Sequence, residues 1–413
     1  MDSAPSHSER AIRMIADQGL MRGLNRALVL GILRREGCVS RADLAKHSGI
    51  SRSTISSIVA ALLEDHLVRE LGTGASKGGR RPILLEFNYQ SKYVIGVEMG
   101  TTAITAIVTD LAATIVHRRR IAFAVEDGPE HGLAILEGLL RDLLATAPTP
   151  AGSICGVGIA LPSPVLYAEG RTVAPPGMRG WDAVPLRDYL SAALDLPVAL
   201  DNDANLGALA EWRWGAGQNV RHLVYIYLAH TGIGGALMLG GSLYRGAAGS
   251  AGEIGHVIVE AGGPLCRCGN RGCLEAVASV PRLLAQAREA GLLAPEGTLG
   301  DFLTLAPHSA PARRLLAQAG ARLGSAIAGL INLVNPDRVV IGGALADAGE
   351  LLLGPLRETA QQVGLAIAMR QVRIVPAALG PEVVALGAAA LATERLFIPA
   401  ALERPEAFGV AFG

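Results

Sequence analysis

His256, Cys266, Cys268 and Cys273 stand at the spacing H-x9-C-x-C-x4-C. Three thiolates and one imidazole make a closed tetrahedral donor set, so the spacing predicts a structural Zn2+ with no open position for water. Gly269 and Gly272 allow the sharp bends that such ligands need. Three buried free cysteines are the alternative. Glu253 precedes the first donor and Glu275 follows the last, so a metal here would fix two carboxylates relative to each other. Cys38 and Cys155 lie elsewhere and read as packing residues. A second polar cluster, Asp201-Asn202-Asp203-Ala204-Asn205, follows the apolar stretch 196–200 and opens a helix reaching Glu211 and Trp212. Carboxylates and an amide at a strand-to-helix junction can grip vicinal sugar hydroxyls. One of them can act as general base toward a hydroxyl. A plain helix cap is the alternative for Asp201 and Asn202.

These groups need a frame. The apolar stretch 93–97 runs into Glu98-Met99-Gly100-Thr101-Thr102 before a second strand over 104–108. A second glycine turn, His230-Thr231-Gly232-Ile233-Gly234-Gly235, follows the strand 223–228. A third, Ile341-Gly342-Gly343-Ala344, follows the strand 338–341. Three such turns in this order are how actin-like ATPases place backbone amides against phosphate and adenosine, although each alone also fits an ordinary hairpin.

The N-terminal region reads differently. From Asn25 the positions Leu28, Ile32 and Leu33 repeat at helical spacing and Gly37 ends the run. Ser40, with Asp43 three residues on, caps a second helix carrying Leu44 and Ala45, and Gly49 supplies a turn. A third helix starts at the N-cap Ser51 and buries Ile55, Ile58, Val59, Leu62 and Leu63, leaving Arg52, Ser53, Thr54, Ser56 and Ser57 outward. This is the arrangement of a helix-turn-helix whose third helix enters the major groove. Two short strands, 67–71 and 83–87, flank the glycine-rich loop 72–82 with Lys77, Arg80 and Arg81, the outline of a wing suited to a narrow minor groove. A protein-docking module with a solvated loop is the alternative.

Charge separates these regions. The chain has 413 residues and formal net charge zero. Its first 92 residues hold 14 basic against 9 acidic residues, net +5, and the rest hold 23 against 28, net −5. Half the residues are hydrophobic and 18% charged, which excludes a disordered chain. The first twenty residues carry Glu9, Arg10, Arg13 and Asp17 without an apolar core, so no secretory signal is readable. The uncharged stretches 143–168 and 222–244 are interrupted by Pro and Gly and read as strands and loops, not membrane spans. The odd cysteine count with three clustered fits a reducing compartment. A cytoplasmic protein without membrane contact is expected.

The segment GEIGHVIVEAGGPLCRCGNRGCLE at 252–275, DNDAN at 201–205 and GGRRP at 78–82 carry a resemblance to the ROK family (repressors, open reading frames, kinases). It extends over about 25–391 and is similar to the family's winged-helix regulators of the xylose and N-acetylglucosamine repressor type. The resemblance implies an α/β, two-lobed, actin-like (ribonuclease H-like) body behind a winged helix-turn-helix. The expected division is a tail or helix over 1–20, the DNA-binding domain over 21–90, one lobe over 91–200, a second with the zinc motif and C-terminal helices over 201–395, and a tail over 396–413. It implies Asn202, Asp203, Glu253, His256 and Glu275 as sugar contacts, with Asp203 at the position of the kinases' catalytic base. His256 would bind zinc through one ring nitrogen and face the sugar with the other.

Departures from the family pattern bear on activity. Kinases read D-x-G-G-T-K where this chain has Glu98-Met99-Gly100-Thr101-Thr102-Ala103, and His230 replaces the first glycine of the second turn. Pro176 stands where the family has a sugar-contacting Asn. A sugar-responsive repressor that binds operator DNA as a homodimer or homotetramer is therefore expected, with Asp203 a vestigial base and no enzyme activity. The alternative is an ATP-dependent sugar kinase that also binds DNA.

Overall fold

The computed structural model describes residues 7–73, 81–173 and 178–397. In the head, α1 (His7–Glu36) is followed by β1 (Val39–Ser40), α2 (Arg41–Ser48), α3 (Arg52–Glu64), β2 (Val68–Thr73) and β3 (Ile83–Phe87). The three strands pair antiparallel in the order β1-β3-β2. Ser40 and Asp43 close a reciprocal capping box at the start of α2, and Gly49 ends that helix in the left-handed region. Ile55, Val59 and Leu62 of α3 are buried against Leu44 of α2 and Val29, Leu30, Ile32 and Leu33 of α1. Leu28 is the exception to the expected stripe: it is 45% exposed, because α1 turns the arc through Val29 and Leu30 toward its partners.

The first lobe contains β4 (Tyr93–Met99), β5 (Ala103–Asp110), β6 (Ile115–Ala122), α4 (Pro129–Thr146), β7 (Ile154–Leu161), the hairpin β8 (Val165–Leu166) and β9 (Arg171–Thr172), α5 (Leu186–Leu194) and β10 (Val198–Asn202). Its five-stranded sheet has the order β10-β7-β4-β5-β6. After α6 (Asp203–Trp214) comes the second lobe. It comprises β11 (Leu223–Leu228), β12 (Ile233–Leu239), β13 (Ser242–Tyr244), α7 (Leu274–Ala278), α8 (Val280–Glu289), α9 (Leu299–Leu305), α10 (Ala310–Val334), β14 (Arg338–Gly342), α11 (Glu350–Val363), α12 (Ala366–Met369) and β15 (Arg373–Pro376). Its sheet is also five-stranded, ordered β13-β12-β11-β14-β15.

The last helix, α13 (Val383–Phe397), packs on β4 and β7 of the first sheet. A contiguous division after residue 200 would put it with the second lobe. It lies on the first sheet because Gly96 and Gly158 offer backbone instead of side chain: a Cβ on Gly158 would sit 1.8 Å from the Ala388 carbonyl oxygen. α6 packs on β11 and β12 and against α13, so the layer between the sheets is this helix pair. α13 also reaches the head, where Leu396, Tyr89 and Leu111 from the β5–β6 turn complete the head's core. No described helix is long and apolar enough to cross a membrane.

Candidate functional site

Both cavities of interest open between the lobes. An inner one of about 70 Å3 is lined by Asn202, Asp203, Glu253, His256, Arg267 and Glu275, among others. An outer one of about 680 Å3 is lined by all three glycine turns and by Arg118, Arg119 and Arg120 of β6. Thr101, Asp203, Tyr227 and Thr231 border both.

The junction of β10 and α6 places the first polar cluster. Asn202 is the N-cap of α6: its side-chain oxygen accepts from the backbone N–H groups of Ala204 (2.9 Å) and Asn205 (3.3 Å). Its amide nitrogen donates to the Ser163 carbonyl at 3.2 Å. The cap reading is thus realised, on a residue that also lines the inner cavity. Asp201 is buried and turned away, accepting from Asn205 Nδ2 and Arg245 Nε, both at 2.7 Å. Asp203 faces the cavities, and burial, reinforced by the charges of Glu98 and Glu253, pushes its carboxyl up to about 7. Burial also raises Glu253 and Glu98.

The second cluster arises from a local hairpin, with bridges Ile258 to Cys273 and Leu265 to Arg271. It brings His256, Cys266, Cys268 and Cys273 together, their donor atoms all within 4.8 Å of one another. Cys268 Sγ and Cys273 Sγ are 3.7 Å apart, and His256 Nδ1 lies 3.6 Å from Cys266 Sγ. A tetrahedral ion bonded at about 2.3 Å to sulfur and 2.0 Å to nitrogen needs edges of about 3.8 and 3.5 Å, so the set fits such a metal. With Nδ1 toward the cysteines, Nε2 of His256 points to the cavity side, 3.9 Å from Glu253 Oε2.

Glu275 is 6% exposed, and three donors hold it: Arg267 Nε at 2.8 Å, Arg267 Nη2 at 2.9 Å and the backbone N–H of Ile233 at 3.1 Å. Gly232 makes this possible, since a Cβ there would lie 2.3 Å from Glu275 Oε2. Arg267 and Tyr227 were not legible as site residues. Arg267 stands between two expected metal ligands, which is the signal that could have found it. Tyr227 carries no such signal; its hydroxyl donates to Glu98 Oε1 at 3.3 Å, linking the first glycine turn to the opposite lobe.

On the head, Arg52, Ser53, Thr54, Ser56 and Ser57 are all exposed along one face of α3. Ser51 caps that helix by accepting from the Thr54 N–H. Ser56 and Ser57 donate to the carbonyls of Arg52 (2.9 Å) and Ser53 (3.2 Å), leaving their oxygen lone pairs free to accept. Arg81 is exposed two residues before β3; Lys77, Arg80 and Pro176 lie outside the described residues.

Two lobes of like topology around a polar cleft, carrying a winged helix-turn-helix, define a DNA-binding protein built on a sugar-kinase-like body. The ROK family model matches residues 94–395, and a winged helix-turn-helix DNA-binding model matches 26–69. The chain belongs to the ROK family. It is 31% identical to the xylose repressor of Bacillus subtilis (strain 168) over 376 residues, covering 90% of this chain and 96% of that one. It is 33% identical to the glucokinase of Thermotoga maritima over 317 residues, but that match spans 73% of this chain and 98% of the kinase. Among solved structures, a ROK family transcriptional regulator described as a homologue of the E. coli MLC protein superposes with a TM-score of 0.80 at 26% identity, covering 92% of this chain and 97% of that one.

Proposed function

We propose that this chain is a sugar-responsive repressor whose body binds a monosaccharide or derivative and whose head binds operator DNA. The observation that carries this reading is the shared core at the head's base: Leu111 and Leu396 of the body pack among the head's own apolar residues. A change in the body is thereby mechanically continuous with the element that carries α3. The relatives named for xylose repression match about nine tenths of this chain, enough to include both head and body, whereas the glucokinase match spans 73% of it.

Arg52, Ser53, Thr54, Ser56 and Ser57 enter the major groove, and Lys77, Arg80 and Arg81 serve the minor groove. Paired half-sites call for a homodimer or homotetramer. Asn202, Asp203, Glu253, His256 and Glu275 contact the sugar, the carboxylates accepting from its hydroxyls. Zn2+ on His256, Cys266, Cys268 and Cys273 is structural; when bound it supplies a rigid anchor, and the chain's own hairpin then holds His256, Glu253 and Glu275 at fixed separation. Sugar entering the cleft biases the angle between lobes about the α6–α13 pair, and so the separation of two heads on the operator. The first glycine turn lacks a lysine and its Glu98 is engaged by Tyr227, which weighs against phosphate transfer.

A thermal-shift screen of monosaccharides and their phosphates, followed by gel shifts on the chain's own upstream DNA, tests the reading. A ligand at a hundred times its dissociation constant stabilises the native state by about 2.7 kcal/mol. A hit that leaves operator affinity unchanged would sink the repressor reading. One observation favours a kinase instead: Asp203, with its carboxyl near 7, sits between the two cavities where a base would stand. ADP release over a sugar panel, abolished by Asp203→Ala, would establish that reading.

A further inference from the structure

A third cavity, of about 520 Å3, is bordered by Val220, His222, Val334, Asp337, Arg338 and Arg373, among others. That volume lies inside the range of about 300–1,000 Å3 found for small-molecule sites. It is separate from the cleft: Arg338 begins β14, whereas Ile341 and Gly343, at the other end of that strand, line the outer cavity. Neither the sugar nor the DNA reading uses it.

Sheet register builds the site. Arg338 of β14 and Arg373 of β15 are partners in a parallel ladder, so their side chains leave the same face of the sheet. Two residues on, Val340 and Val375 belong to the apolar cluster around Tyr225 and Ala208 of α6, while the intervening Val339 and Ile374 belong to the core of Leu323 and Leu356 on the opposite face. Both guanidiniums therefore emerge on the α6 side, from strands about 4.8 Å apart. Like charges at facing positions of neighbouring strands repel, and among the described residues neither arginine has an ion pair.

Other groups are already committed. Arg338 is half-buried and aimed by a backbone contact, its Nη1 donating to the Ala216 carbonyl in the loop that follows α6. Asp337 borders the cavity, but its Oδ2 accepts from the backbone N–H groups of Arg221 at 3.0 Å and His222 at 2.8 Å. His222 adds a donor, because its Nδ1 accepts from the Gly240 N–H at 3.2 Å and the ring proton is left on Nε2.

We propose that this cavity is a second ligand site, for a small phosphate monoester. A phosphate group carries close to two negative charges and three terminal oxygens, enough for Arg338, Arg373 and His222 together, whereas a single carboxylate has two oxygens and one charge. Val220 and Val334 wall the space left for the organic part. Since Arg338 also holds the loop after α6, an anion bridging the two arginines ties β15 to the helix between the lobes. Sugar binding in the cleft is not required for it.

Calorimetry on the full-length chain with glycerol 3-phosphate, succinate and glycerol as probes tests the site. Wild type should bind glycerol 3-phosphate saturably, more tightly than succinate, and should not bind glycerol. Arg373→Ala removes an exposed side chain that makes no bond within the fold, and it should weaken glycerol 3-phosphate by roughly tenfold or more, the loss expected for one charge-assisted hydrogen bond. Arg338→Met should do the same, with a melting curve to confirm that the variant is folded. Arg370→Ala, an exposed arginine outside the lining, should leave the affinity unchanged. Absence of saturable binding by wild type, tighter binding of succinate, or an equal loss in Arg370→Ala would each overturn the proposal. So would binding that survives Arg373→Ala and disappears in Arg120→Ala, which would put the anion in the outer cavity instead.

Discussion

In both lobes the central strand pairs antiparallel with the next strand and parallel with the fourth: β4 with β5 and β7, and β11 with β12 and β14. The hairpins close at Met99 against Ile104 and at Leu228 against Ile233, so Glu98 corresponds to Tyr227 and Gly96 to Tyr225. The correspondence shows how one topology can be filled in two ways. In the first lobe, glycine sits on the strand and the backbone of α13 descends onto it. In the second, the strand carries the bulk, Tyr225, and the glycines lie around it: a Cβ on Gly207 of α6 would come within 2.7 Å of its ring and one on Gly342 within 2.4 Å of its hydroxyl. The corresponding pair Glu98 and Tyr227 meets across the cleft. Beyond the sheets the lobes diverge, because only the second inserts the metal hairpin and α7 to α9 before its long helix α10.

Removing the metal should separate the lobes most. If the four donors hold Zn2+ as proposed, Cys266→Ser, or chelation of the wild type, is expected to lower the melting temperature by roughly 10 °C and make unfolding biphasic, since the candidate metal set lies in the second lobe alone. A single unshifted transition would show that the insertion stands without the ion. Next in size is Gly158→Val, which sets a side chain on the Ala388 backbone. It should cost about 4 kcal/mol or leave the chain insoluble, measured by urea unfolding.

Asp203 gives a smaller, pH-dependent effect. Its carboxyl titrates near 7 in the folded chain against an ordinary value of 3.8. Between those values the folded state keeps a proton that the unfolded state has lost, so the group's contribution falls as pH rises through this window and is constant above it. Asp203→Asn removes the penalty, and its melting temperature should exceed wild type by roughly 2 °C at about pH 8 and by less at about pH 5. The smallest effects come from the two tyrosines. Tyr227→Phe breaks the bond to Glu98 and should cost about 1 kcal/mol. Tyr225→Phe should be neutral or mildly stabilising, because that buried hydroxyl has no partner among the described residues. Equal losses from both would mean the corresponding positions are not distinguished as the geometry indicates.

Much of this was legible in the sequence, and the reason is locality. The four candidate donors converge because one short local segment carries them all, and the capping box of α2 and the cap of α3 depend on neighbours three residues away. Strand 223–228 and strand 83–87 coincide with β11 and β3, whose apolar runs are bounded by turn residues. Leu28 was misplaced since helical spacing identifies a stripe but not its phase against partners. The fork of Arg267 on Glu275 and the bond between Tyr227 and Glu98 were invisible, because no local pattern records which side chains face each other across a cleft.

By itself, then, the sequence determined the ROK plan: a basic winged head of net +5, a body of net −5, three glycine turns and a His/Cys set spaced to hold a metal. Those follow from periodicity, turn chemistry and ligand spacing, all of which act over a few residues. The tertiary structure alone decided that α13 belongs to the first sheet, that Leu396 and Leu111 join the head to the body, and that Arg267 stands in the inner cavity. Each of these depends on residues far apart in the chain meeting at close-packed distance, a condition settled only when both lobes are folded around the same pair of helices.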